Sequence, residues 1–191
     1  PESVHLCSFP TANAAARDLA LERRMADVQV AVELGRRLRA DNDLKVRQPL
    51  SALKIAGGDV AGLESLIEDE LNVKSVVFVA DETELCDISC KANFKTLGKK
   101  CGPKMKAVAA AIASGSQEIV GLCTGKGGES AAVVLEGVQV TAEDVLVTRT
   151  PKAGLVVASQ GEVVVGLETA LSPELVAEGL AREFVSRVQS M

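Results

Sequence analysis

Leu44–Ala80 reads LKVRQPLSALKIAGGDVAGLESLIEDELNVKSVVFVA, and its grammar decides the fold class. Leu44 to Ile55 is strand-like, with an edge position or bend at Pro49, which cannot donate to a sheet ladder. Gly57-Gly58-Asp59 opens a short acidic helix to about Leu71, with Asp59 as its N-cap. Val73 to Ala80 is β-branched and almost continuously apolar, the pattern of a strand buried on both faces. Strand, helix and strand at this spacing predict a crossover joining two parallel strands.

Working outward, Thr11 to about Ala40 is helical, after an irregular opening segment, residues 1–10, closed by Pro10. Leu21, Met25, Val28, Val32 and Gly35 advance by four and three and share one stripe, with Arg23 and Arg37 on the other side. A single stripe on so long a helix calls for neighbours, which suggests one member of a helical bundle whose partners lie elsewhere. On the C-terminal side, Leu85 to Lys91 is a further strand. Glu118 to Thr124 is read as a short strand, ending in a Gly125-Lys126-Gly127-Gly128 turn that lacks the spacing of a phosphate loop. Ala131 to Val140, Val145 to Thr150, Leu155 to Ser159 and Val163 to Leu167 alternate with turns as in a β-meander. In Leu171-Ser172-Pro173-Glu174, Ser172 caps a last helix, Pro173 takes its first position and Glu174 favours the positive end of the dipole. Ala177, Leu180, Ala181, Phe184 and Val188 share the face expected to pack against the sheet. The class is α+β: a long N-terminal helix, a mixed α/β part with a multi-stranded sheet, and a C-terminal helix.

Ile88–Gln117, ISCKANFKTLGKKCGPKMKAVAAAIASGSQ, holds Lys91, Lys95, Lys99, Lys100, Lys104 and Lys106 and no Asp or Glu. The whole chain carries −5, so 15 basic residues face 26 acidic ones outside this stretch. It is helical from about Phe94 to Ala113, with a start or kink at Pro103. Two readings stand: a patch that faces a polyanion such as a phosphate backbone, or a solvated lysine-rich face.

Composition excludes several classes. At 191 residues and 47% apolar the chain buries a real core. Four Phe with no Trp or Tyr argue against an aromatic-faced RNA-binding sheet. No apolar run approaches the ~20 residues of a membrane span, and no signal segment opens the chain. Cys7, Cys86, Cys90, Cys101 and Cys123 suit a reducing cytosol, and Cys86-x3-Cys90 lacks the second pair a zinc site wants. With His5 the one histidine, no nucleophile–base set is visible. Acidic clusters at Glu68-Asp69-Glu70 and around Asp81-Asp87 lack metal-loop spacing. A chain starting at Pro1 and ending inside a helical pattern reads as a piece of something larger.

Five stretches in order, SVHLCSFP, GRRLRADNDLKVRQPL, ELNVKSV, NFKTLGKKCGPKMKAV and LSPELVAEGLAREFVSRVQ, resemble the C-terminal part of the isoleucyl-tRNA synthetase family. The likeness is to the form shared by archaea, eukaryotes and some bacteria. The resemblance implies that residues 1–44 end with the last helix of the anticodon-binding bundle, and that 45–191 are a C-terminal α+β appendage that helps hold tRNA(Ile). It implies a non-catalytic, cytoplasmic segment of a ligase that joins isoleucine to tRNA. The catalytic motifs are missing, so ATP and Mg²⁺ belong to another domain and no cofactor is expected in this chain. Lys91, Lys95, Lys99, Lys100, Lys104 and Lys106 would contact phosphates near the anticodon. Arg36, Arg37, Arg39, Lys45 and Arg47 would do so at the junction of bundle and appendage. Asn93, Asn42 and Gln48 are eligible base readers by chemistry, and Phe94 is either a base-stacking or a core residue. The alternative is a docking module that binds the rest of the synthetase chain or other proteins.

Overall fold

The structure, a computed structural model, describes residues 3–8, 13–115, 117–123 and 132–191. The Gly125–Gly128 turn expected from the sequence lies outside them. A 3-10 turn at Ala14–Ala16 precedes α1 (Leu19–Asp41), which begins where the Asp18 carboxylate accepts the Ala20 and Leu21 amides at 3.0 Å. Its buried line is Val28, Ala31, Leu34, Gly35 and Leu38, while Leu21 and Met25 of the expected stripe stay exposed.

The central strand–helix–strand unit forms as expected: β1 (Leu50–Ala56), α2 (Glu64–Leu71) and β2 (Val73–Val79), with β1 and β2 parallel from Leu50↔Val73 to Ala56↔Val79. Pro49 therefore precedes the strand. Asp59 does not cap α2; its carboxylate accepts the Ala61 amide in a turn, and the helix begins five residues later. β2 is an edge strand with Val77 and Phe78 exposed, so its continuous apolar run is not doubly buried. The remaining elements are β3 (Cys86–Ala92), α3 (Phe94–Cys101), α4 (Met105–Ala113), α5 (Gln117–Cys123), β4 (Ala132–Leu135), β5 (Val138–Thr141), β6 (Val145–Pro151), β7 (Leu155–Gln160), β8 (Val163–Glu168) and α6 (Pro173–Gln189).

The main sheet has the order β2-β1-β8-β7, with β8 antiparallel to both neighbours. The expected meander is broken up instead. β6 pairs with β3, from Cys86↔Pro151 to Ala92↔Val145, and β4 with β5. The stretch expected as a strand after Glu118 is helix α5. Ile119 and Leu122 are both buried three residues apart, which one helix face supplies and an alternating strand does not.

Two cores result. Val28, Ala31, Leu34 and Leu38 of α1 join Leu50, Leu53, Ile55, Ile67, Val163, Val165 and Leu167. Cys90, Ala92, Leu97, Val108, Ile112, Ile119, Val140 and Val145 form the second. The fold is mixed α/β, with a long N-terminal helix, a multi-stranded sheet and a C-terminal helix.

Candidate nucleic-acid interface

The basic stretch does not form one helix. It supplies the end of β3, then α3, a 3-10 turn at Gly102–Lys104, and α4. Pro103 follows Gly102, whose φ is +47°, a backbone conformation that suits glycine and ends α3. The lysines consequently diverge. Cys90 and Ala92 pack inward beneath α4, so strand alternation turns Lys91 to the opposite, exposed face of the β3–β6 ribbon, across from Leu146. Lys106 precedes buried Val108 by two residues and is exposed on the outer side of α4. Lys91 and Lys106 thus leave this layer on opposite sides. Lys95 is exposed on α3, and Lys99 lies in the same helix.

Among the described side chains of this stretch, those of Lys100 and Lys104 are tied down. The Lys100 ammonium is 2.6 Å from the fully buried carboxylate of Asp144. Burial raises the pKa of Asp144, but donation from Lys100, from the Thr141 amide and hydroxyl, and from Thr96 outweighs it and lowers the value to about 2. Lys104 donates to the Glu136 carbonyl at 3.0 Å.

The junction group divides further. Arg39 is a correction to the sequence reading: it is 2% exposed and its guanidinium donates to the carbonyls of Lys45 (2.9 Å), Gln48 (3.0 Å) and Asn72 (3.2 Å). That burial pulls its pKa down and removes it from any phosphate. Arg36 pairs with Glu70, and Lys45 with Glu183 at 3.1 Å. Arg37 and Arg47 are exposed, and among the described residues neither has an ion-pair partner, nor do Lys91, Lys95 or Lys106.

The amides eligible as base readers are also engaged. Asn42 Nδ2 donates to the Leu38 carbonyl at the end of α1. Asn93 caps α3: its Oδ1 accepts the Lys95 amide and its Nδ2 donates to the Glu143 carbonyl at 3.0 Å. Gln48 Nε2 donates to the carbonyls of Leu175 (2.7 Å) and Pro49 (3.1 Å), which fastens α6 to the loop before β1.

This fastening is what the sequence did not disclose. α6 docks through its polar and small side. Lys74 pairs with Glu178 at 2.7 Å, Arg182 donates to Asn72 Oδ1 at 3.0 Å, and Gly179 lets Gln48 approach, since a Cβ there would lie 2.4 Å from Gln48 Oε1. The face Ala177, Leu180, Ala181, Phe184 and Val188, expected inward, points to solvent. The sequence signal was the RQPL and EGLARE pair, but nothing local showed that these two segments meet.

Among the described residues, no three His, Cys, Asp or Glu side chains stand where they could hold a metal ion, and no helix is long and apolar enough to cross a membrane. Cys86, Cys90 and Cys101 are buried free thiols, and burial pushes the Cys86 thiol up.

No protein-family model matches the chain. It is 42% identical over 200 residues to an isoleucine–tRNA ligase of Protochlamydia amoebophila, covering all of this chain and 19% of that protein. It is 40% identical to the isoleucine–tRNA ligase of Treponema denticola and 39% to that of Streptomyces avermitilis, each over 99% of this chain and 18% of the relative. The chain thus spans about a fifth of the length of the curated relatives it matches. From end to end it is homologous to C-terminal regions of isoleucine–tRNA ligases.

Proposed function

We propose, from that end-to-end homology, that the chain is the non-catalytic tRNA-holding region of an isoleucyl-tRNA synthetase, an enzyme that ligates isoleucine to tRNA(Ile) with ATP. The observation that carries this reading is the 42% identity to an isoleucine–tRNA ligase across the whole chain. In it, residues 1–44 close the anticodon-binding bundle and 45–191 form the appendage. α1 serves both: its Val28–Leu38 face is spent on this chain's sheet, while Leu21 and Met25 stay exposed. ATP and Mg²⁺ act in the catalytic part of the enzyme, and the site of action is the cytoplasm.

The phosphate contacts fall to the cations with no ion-pair partner among the described residues, namely Lys91, Lys95, Lys106, Arg37 and Arg47, with Lys99 joining them by its position in α3. Such contacts position RNA without reading it. Lys100, Lys104, Arg36 and Lys45 are engaged within the chain and reach RNA only by exchanging partners. Titrating the chain with tRNA(Ile) at increasing salt tests this. Five or six phosphate contacts give a log–log slope of roughly 3.5–5 in magnitude, and Lys95→Glu with Lys106→Glu flattens it. A slope near zero, or one unmoved by those changes, overturns the assignment.

A second reading is favoured by one observation, the outward apolar face of α6 with Leu180 66% and Phe184 69% exposed. There the region docks on the remainder of the synthetase chain. Cross-linking from position 184 in the full-length enzyme separates the readings: an adduct that forms without tRNA supports docking, and its absence removes this reading.

A further inference from the structure

We propose that Phe94 is a stacking platform for an unpaired nucleobase, with Lys91 and Lys95 close to it along the chain. This rests on the reading of the chain as a tRNA-binding region.

Phe94 is 68% exposed at the first position of α3, whose inward face is carried by Leu97 and Cys101. Leaving a phenyl ring in water forgoes the stabilisation a core position gives. The corner that presents it is nonetheless held firmly. The Asn93 amide donates to the Asp144 carbonyl at 2.9 Å, the Asn93 side chain caps the helix, and Thr96 Oγ1 donates to the Asn93 carbonyl at 3.2 Å. The Lys100–Asp144 pair then fastens the far turn of α3 to the same loop. An exposed ring on a fixed backbone is pre-organised for a flat partner and gives up little freedom on binding.

Its surroundings choose the partner. Phe78 lies on the edge strand and Phe184 in an apolar ridge beside Glu183. Phe94 instead has an exposed lysine three residues before it and another directly after, with Glu143 the exposed acidic residue that the supporting loop brings to this corner. The chain between Lys91 and Phe94 spans at most ~11 Å. Aromatic faces interleaved with cations bind single-stranded nucleic acid because every base has a π-face and every linkage a phosphate. With Asn93, Asn42 and Gln48 engaged elsewhere, this platform holds a base without identifying it.

The test uses the absence of Trp and Tyr from the sequence. Phe94→Trp places the protein's single indole on the platform. Its fluorescence should be quenched as tRNA(Ile) saturates the chain, and affinity should match or exceed that of the parent. Phe94→Leu, which keeps apolar bulk but no ring, should weaken binding roughly five- to hundredfold with the salt slope unchanged. Thermal stability should be unaltered in both variants. Parent-like affinity of Phe94→Leu, an indole signal that ignores saturating tRNA, or a Phe94→Leu melting point that drops overturns the platform alone. Failure of the parent chain to bind tRNA at all overturns the tRNA reading with it.

Discussion

Arg39 shows how one side chain changes meaning between sequence and structure. Within GRRLRADNDLK it is one cation among several, and nothing local separates it from Arg36 or Arg37. In the fold it is enclosed, and three carbonyls from two segments, the loop before β1 and the end of α2, depend on it. Arg39→Met keeps the apolar stem but leaves those acceptors unpaired, at about 1–3 kcal/mol for each buried group that finds no water. We expect a loss of roughly 3 kcal/mol or more in urea denaturation; a loss under ~1 kcal/mol would show that the carbonyls have other partners. Asp144 makes a second prediction at this scale. Its folded pKa of about 2 lies below the ordinary carboxylate value of 3.8. The folded state therefore binds its proton more weakly than the unfolded chain does. The stabilisation is fully present above pH ~4 and disappears as pH falls through about 2, on the order of 2 kcal/mol in all. Asp144→Asn should flatten the pH dependence of stability across that window, and an unchanged profile would place the titration elsewhere.

At the scale of elements, much was legible. The crossover of β1, α2 and β2, the Ser172 cap with Pro173, and the interruption at Pro103 each follow from local chemistry, and each stands in the structure. The orientation of α6 was not legible. Periodicity locates an apolar face but does not say what already covers the sheet, and here α1 and α2 pack against it. α6 attaches instead by ion pairs and by the Gln48–Leu175 bond, with Gly179 at the closest approach. Gly179→Ala puts a methyl 2.4 Å from Gln48 Oε1, and the amide must swing away from carbonyls it now serves. We expect a cost of about 1–2 kcal/mol and faster hydrogen exchange confined to 173–189. Gln48→Ala in the same background should recover part of the packing loss. If the Ala variant exchanges like the parent, α6 is held by its ion pairs alone. The candidate site was partly legible for a related reason: charge clustering showed a basic stretch, but which lysines are tied down is decided by Asp144 and the Glu136 carbonyl, which lie beyond the reach of a sequence window.

For the whole molecule, the decisive pairing is β8 with β1, joining Leu53 to Leu167 across more than a hundred residues. No local pattern announces it, and it turns 86–151 into an insertion between two halves of one sheet. The two cores share no residue. Among the described residues, fifteen buried apolar side chains form the first and ten, all within 90–145, the second. Where the insertion leaves the main sheet stand a small cluster of Ala56, Leu85 and Val164, the Arg149–Glu82 pair of 2.9 Å, and the Lys152 amide on the Leu85 carbonyl. Since hydrophobic stabilisation scales with the apolar area removed from water, the smaller core should open at lower free energy than the larger. Native-state hydrogen exchange in increasing urea should then resolve two cooperative units. Amides of β3, β6 and α4 should exchange through an opening with a smaller urea slope than amides of β1 and β8, because less surface is exposed. Arg149→Leu, which leaves buried Glu82 unpaired, should bring that opening to lower urea and barely shift the exchange of β1 and β8. If both sets of amides follow one isotherm at every urea concentration, the insertion and the main sheet unfold as one body and the junction is stronger than its few contacts suggest.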